Sequence, residues 1–196
     1  VLGDESSGEA IAIDTATPCV EWLTATLAER GWALKLIIST HRHWDHIGDN
    51  AAVVAATGAK IAAHVLDRHG LAQPGGHGAP FPIPPSVAAV ELAEGSRIRF
   101  GDIKLEVLHT PGHTEGSVCL LANGERLLFT GDTLFAGGWG RTDLPGGSDE
   151  EMVDSLARLS RLPTDLRVLP GHGRGSTITA EQPWLAAVAA SGRLPF

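Results

Sequence analysis

The sequence predicts an α/β protein whose sheets pack together under a cover of helices. Three observations predict it. Strand-like and helix-like segments alternate through the first third of the chain. A run of short strands separated by turn signals follows, and a helix, a strand and a last helix close the sequence. At 196 residues the chain is long enough for one domain with a real core, and a single domain over 1–196 is expected.

Residues 10–13 are apolar and read as a strand. A helix is expected over 18–30, with Pro18 near its start and Gly31 just past its end. Residues 34–39 form a nearly continuous apolar run, as in a strand covered on both faces. A helix over 49–57 stops at Gly58, and a strand over 60–64 follows. The stretch GLAQPGGHGAPFPIPP, 70–85, is too rich in Pro and Gly for a regular element and reads as a loop. Strands are then expected over 97–100, 103–108, 117–121 and 127–130, with turn signals such as Asn123-Gly124 between them. An amphipathic helix over 148–162 ends at Pro163, a strand covers 166–169, and a helix covers 181–190.

Composition excludes several classes. The chain is 43% hydrophobic and 19% charged, with no apolar run long enough to span a bilayer, so no membrane partner is expected. No charged-then-apolar leader pattern opens it at Val1. Fifteen basic residues against 23 acidic ones give a net charge of -8 without a basic cluster, which argues against nucleic acid. Cys19 and Cys119 each lie in an apolar stretch, outside metal-type spacing, and read as small buried apolar residues. That points to a reducing compartment, and a cytoplasmic location is expected.

The chemistry concentrates in ISTHRHWDHIGDN, 38–50, where His41, His43, Asp45 and His46 follow the end of an apolar strand. Alternation along extended backbone puts His41 and His43 on one side, and a turn into the next helix lets Asp45 and His46 face the same cavity. Imidazole nitrogen and carboxylate oxygen suit zinc, iron or manganese. Three later segments share one grammar: a short apolar strand, small residues, then a ligand-type side chain. LHTPGHTEGS at 108–117 supplies His113, LFTGDTLF at 128–135 supplies Asp132, and VLPGHGRGS at 168–176 supplies His172. Gly112, Gly131 and Gly171 each precede the ligand-type residue, and glycine permits backbone conformations that would aim it into a crowded site.

HRHWDH at 41–46 resembles the HxHxDH signature of the metallo-β-lactamase superfamily, and His113, Asp132 and His172 fall in the expected order after it. The segment FAGGWGRTDLPGGS, 135–148, is similar to the FxGxxGRTDxPGG stretch of the glyoxalase II-like (hydroxyacylglutathione hydrolase-like) thioester hydrolases. The resemblance implies an αββα sandwich, two mixed β-sheets flanked by helices. It implies His41, His43 and His113 on one divalent metal, Asp45, His46 and His172 on a second, and Asp132 bridging both. Zinc is the expected metal, with iron or manganese as alternatives. Two such metals keep hydroxide available near neutral pH and stabilise the oxyanion formed at an attacked carbonyl. Asp45 and Asp132 are the expected catalytic carboxylates, Asp45 by orienting the nucleophile and Asp132 by fixing the metal spacing. The expected partner is a small acyl thioester or ester, and a homo-oligomer fits as well.

The other reaction class is a mononuclear iron persulfide dioxygenase, whose facial set is contained in His41, His113 and Asp132. A lactonase or other ester hydrolase of the same fold stands behind these, as do a true β-lactamase, in which an aspartate at the Asp132 position is unusual, and a metal-free binding module. About two dozen residues follow His172, fewer than the helical domain of glutathione-specific relatives, so tolerance of the thiol half is expected. Outside the ligand set, His64 and His109 read as packed or supporting residues, and His69 and His77 as solvated. Arg141 and Asp143 read as a paired brace, and Trp139 and Phe81 as aromatics of the substrate mouth or of the packing.

Overall fold

The structure, a computed structural model, describes residues 1–74 and 78–195. In chain order its elements are β1 (Leu2–Asp4), β2 (Glu9–Ile13), α1 (Val20–Arg30), β3 (Ala33–Ile38), α2 (Trp44–Ile47), α3 (Asn50–Thr57), β4 (Lys60–His64), α4 (Arg68–Ala72) and β5 (Ala88–Leu92). They continue with β6 (Arg97–Phe100), β7 (Ile103–His109), β8 (Val118–Ala122), β9 (Leu127–Gly131), α5 (Asp149–Leu159), β10 (Arg167–Pro170), β11 (Ser176–Thr177) and α6 (Ile178–Ser191). The strands form two mixed sheets, ordered β1-β2-β3-β4-β5 and β11-β10-β9-β8-β7-β6. No helix among the described residues is long and apolar enough to cross a membrane.

The chain divides into two compact units, Val1–Leu92 with Ile98–Ile103 and Ala93–Arg97 with Lys104–Phe196. In the first unit β2 through β5 run parallel and β1 lies antiparallel at the edge. Parallel neighbours need crossover connections, and α1 and α3 supply two of them. Leu23 and Leu27 of α1, Val53 of α3, Ile37 of β3 and Ile61 of β4 share one buried cluster. Asp49 caps α1 from the start of the next crossover, accepting the Cys19 and Val20 N–H groups at 2.7 and 3.2 Å. Burial alone would raise its carboxyl, but these bonds and that of the Thr17 hydroxyl leave it below the usual range.

The second unit begins with an antiparallel meander, β7-β8-β9. The chain then crosses over through α5, so that β10 lies parallel to β9. Ser148 caps α5 by accepting the Glu151 N–H, and Asp149, Glu150 and Glu151 in the first turn suit the positive end of the helix dipole. Met152, Leu156 and Leu159 recur at helical spacing and are fully buried, each contributing about 1.5–3 kcal/mol by leaving water.

Several expectations need correction. The helix expected from residue 18 starts at Val20, the one expected over 148–162 ends at Leu159, and the last helix starts at Ile178. Thr177 caps that last helix by accepting the Ala180 N–H at 3.1 Å, so Pro183 lies inside it and not at its first turn. Within the expected loop at 70–85, α4 extends to Ala72, because Leu71 is drawn into the buried cluster. His77 lies outside the described residues.

Candidate metal centre

In the first unit the ligand-type residues begin where β3 ends. Thr40 and His41 follow the strand, His43 is extended (φ -68°, ψ 147°), and α2 then carries Asp45 and His46. His41, His43 and His46 are all buried. The His41 ring lies 4.9 Å from that of His43, nearly perpendicular, and 4.1 Å from that of His46. Asp45 Oδ2 stands 3.9 Å from His46 Nε2 and is about one-third exposed. All four residues expected from HRHWDH therefore meet at one place in this unit.

Asp14, just beyond β2, sets their orientation. Its φ of 56° is unusual for a non-glycine residue, though Asp tolerates this region better than most. Its carboxylate accepts the Thr40 N–H at 2.7 Å, the Thr40 hydroxyl at 2.8 Å and His46 Nδ1–H at 2.7 Å. Because the Thr40 hydroxyl gives its hydrogen to Asp14, it accepts from His41 Nδ1, 3.1 Å away. Both rings thus carry hydrogen on Nδ1, which in the neutral imidazole leaves the lone pair on Nε2, the form a metal ligand needs. Sequence reasoning missed Asp14. The one signal was an acidic residue at the end of an apolar strand, which marks the position but not its partners.

The second unit brings His113, Asp132 and His172 together. Asp132 and His172 leave the C-terminal ends of adjacent parallel strands, β9 and β10, where the Gly171 N–H donates to Gly131 O at 2.8 Å. Asp132 Oδ2 lies 3.6 Å from His113 Nε2 and 3.6 Å from His172 Nε2. His113 Nδ1 donates to Arg141 O at 2.7 Å, which in the neutral ring again leaves the lone pair on Nε2. His113 and Asp132 are buried, while the His172 side chain is about half exposed.

Gly112 has φ 129°, and a Cβ there would strike the backbone of Met152, so α5 presses directly on the loop that carries His113. Ser155 on the same helix donates to Pro111 O at 2.7 Å. Gly131 also has positive φ, at 46°. Gly171 is not among the residues with positive φ, so conformational freedom of that kind does not explain it. Gly140 is the glycine sequence reasoning overlooked. It donates to Asp132 O at 3.0 Å, and a Cβ there would collide with that oxygen and approach His113 Nδ1 to 3.0 Å.

The remaining candidates sort themselves by contact. Arg141 and Asp143 form a two-pronged pair at 2.6 and 2.7 Å, and Arg141 holds the Asp143 carboxyl down at about 2. Both side chains are exposed, so the bracing of His113 comes from the Arg141 carbonyl and not from the ion pair. His109 Nε2 lies 2.8 Å from Glu115 O and ties the two ends of the His113 loop, a supporting role. His64 is buried at the end of β4, and His69 is exposed. Trp139 packs on Trp184 at 5.8 Å within the second unit's core cluster. Phe81 remains exposed, edge-on to Trp44 at 5.8 Å, beside the residue that precedes Asp45. Cys19 and Cys119 are free thiols, pushed up by burial to about 12 and about 11, so neither offers a thiolate near neutral pH. A cavity of about 800 Å³ in the second unit is lined by Gly137, Arg174, Ser176, Glu181 and Trp184 among others.

A family model of the metallo-β-lactamase superfamily matches residues 4–172. The chain belongs to the metallo-β-lactamase superfamily. Its two mixed sheets with flanking helices are the fold of that family, and the fold implies divalent metal ions. Hydroxyacylglutathione hydrolase of Maricaulis maris is 38% identical over 172 residues, 88% of this chain and 60% of that protein. The chain therefore spans about 60% of the length of that curated relative. The solved structure of the BLEG-1 B3 metallo-β-lactamase is similar with TM-score 0.87 and 32% identity, over 94% of this chain and 92% of that one. TTHA1623, solved in a di-iron-bound form, gives TM-score 0.76 and 37% identity over 86% and 84%. Within this family, imidazoles held through Nδ1, with a carboxylate oxygen 3.6 or 3.9 Å from Nε2 of His113 or His46 in each unit, are donor types that fit divalent metal.

Proposed function

We propose that the ligand-type residues make a two-metal site, and that the protein hydrolyses acyl thioesters there. His41, His43 and His113 would hold one metal, Asp45, His46 and His172 the other, and Asp132 both. The observation that carries this is Asp132 Oδ2, 3.6 Å from Nε2 of both His113 and His172, the place for a carboxylate shared between metals. When bound, the divalent metals supply an activated water near neutral pH and a Lewis acid for the attacked carbonyl.

The chain's own residues do the rest. Asp14, through His46 and Thr40, keeps the imidazole lone pairs on Nε2. Asp45, partly open to solvent, accepts a hydrogen bond from the nucleophilic water and orients it. No serine or cysteine nucleophile is needed, in keeping with two cysteines held as thiols. The FAGGWGRTDLPGGS segment and the hydroxyacylglutathione hydrolase relative support a thioester as substrate, and zinc, iron or manganese suits the donor set.

Turnover of S-lactoylglutathione and simple acyl thioesters, compared with a chromogenic cephalosporin, tests the proposal. Thioester turnover should dominate, vanish with a chelator and return with zinc, manganese or iron. Dominant lactam turnover, or thioester turnover indifferent to the chelator, would refute it.

A further inference from the structure

We propose that Arg42, the residue between His41 and His43, is a positioning residue for the metal ligands, acting through its buried partner Asp67; this rests on the two-metal reading above. Asp67 follows β4, and its side chain is 1% exposed. Its Oδ2 accepts the Arg42 N–H at 2.9 Å and its Oδ1 accepts Arg42 Nη1 at 2.5 Å, so one carboxylate grips both the backbone and the side chain. Asp67 is itself fixed, donating its N–H to His64 O and accepting the Gly70 N–H, both at 3.0 Å. Gly70 packs directly on Arg42, since a Cβ there would come within 2.6 Å of Arg42 Cβ and Cδ.

Successive side chains on extended backbone point to opposite sides. The chain bends at Thr40 and His41 and is extended at His43, and with Arg42 held away by Asp67 the rings of His41 and His43 meet 4.9 Å apart. A slip of one residue would exchange guanidinium for imidazole, and the buried ion pair opposes that slip. An ion pair this deep is poorly explained by stability alone, because apolar residues of similar volume usually stabilise as well or better. Its distinctive contribution is to fix register.

The test measures zinc(II) affinity of the full chain by competition with a chromophoric chelator, alongside urea unfolding of the metal-free protein. Asp67→Asn removes the charge. Because a lone buried charge can prevent folding, the doubly neutral Arg42→Met/Asp67→Asn is measured in parallel. Zinc affinity in the double variant should fall by about 10–100-fold, as when partners that orient ligands are removed, while metal-free unfolding stays cooperative and near wild type. Arg42→Lys, which keeps the charge pair, should lie closest to wild type in affinity. Wild-type zinc affinity in the double variant, with or without lost stability, would overturn the inference and leave the metal site intact. A wild-type chain that takes up no zinc would overturn the metal site, and the inference with it.

Discussion

At the scale of single residues, Asp132 has the most demanding position, a buried carboxylate equidistant from two imidazoles on loops that follow different strands. If it bridges two metals, Asp132→Ala should lose more bound metal and more thioester turnover than His172→Ala, which removes a ligand from only one of them. Full retention of both metals in Asp132→Ala would remove the bridging role. The ligand-type residues were legible because each follows an apolar strand and small residues, a pattern that survives without knowing the fold. Asp14 and Asp67 were not found. Each acts through partners distant in sequence, Thr40 and His46 for one and Arg42 for the other, and no spacing rule announces such pairs. Gly140 was hidden for a similar reason, since its crowding by Asp132 and His113 exists only in the folded chain.

At the scale of elements, long periodic segments were the readable ones. The apolar runs of β2, β3 and β4 and the amphipathic pattern of α5 stood out in sequence, with ends displaced by a few residues. β1, β11, α2 and α4 are too short for periodicity to register, and β5 alternates imperfectly, with Glu91 among its small apolar residues. Those short pieces matter, because α2 carries Asp45 and His46 and α4 packs on Arg42. Another tie joins α5 to the end of β7: Arg158 donates to Glu94 at 2.5 and 2.8 Å and to His109 O at 3.2 Å. The Arg158 guanidinium holds the Glu94 carboxyl below its usual range, against burial and with help from the His109 N–H. A carboxyl depressed in the folded state stabilises fully above its unfolded value, about 4.3, and loses that contribution as pH falls through its folded value. The Tm difference between wild type and Glu94→Gln should therefore be constant from pH 7 to about pH 5 and shrink in stronger acid. A difference that persists undiminished to pH 3 would contradict this tie.

At the scale of the whole molecule, the family follows from the match over 4–172, and the two mixed sheets agree with it. The fold class was legible because strands alternating with helices, and then a strand meander, leave few architectures. Substrate choice was not, because the ligand-type residues mark a reaction centre and carry no record of what binds beside it. Metal identity was not legible either, since imidazole and carboxylate donors accept several divalent ions. Metal content bears on the proposal most directly. Elemental analysis of protein freshly purified without chelators should give close to two equivalents per chain, accompanied by hydrolysis of S-lactoylglutathione. A reproducible single equivalent of iron, with sulfite formed from a persulfide and oxygen, would contradict it.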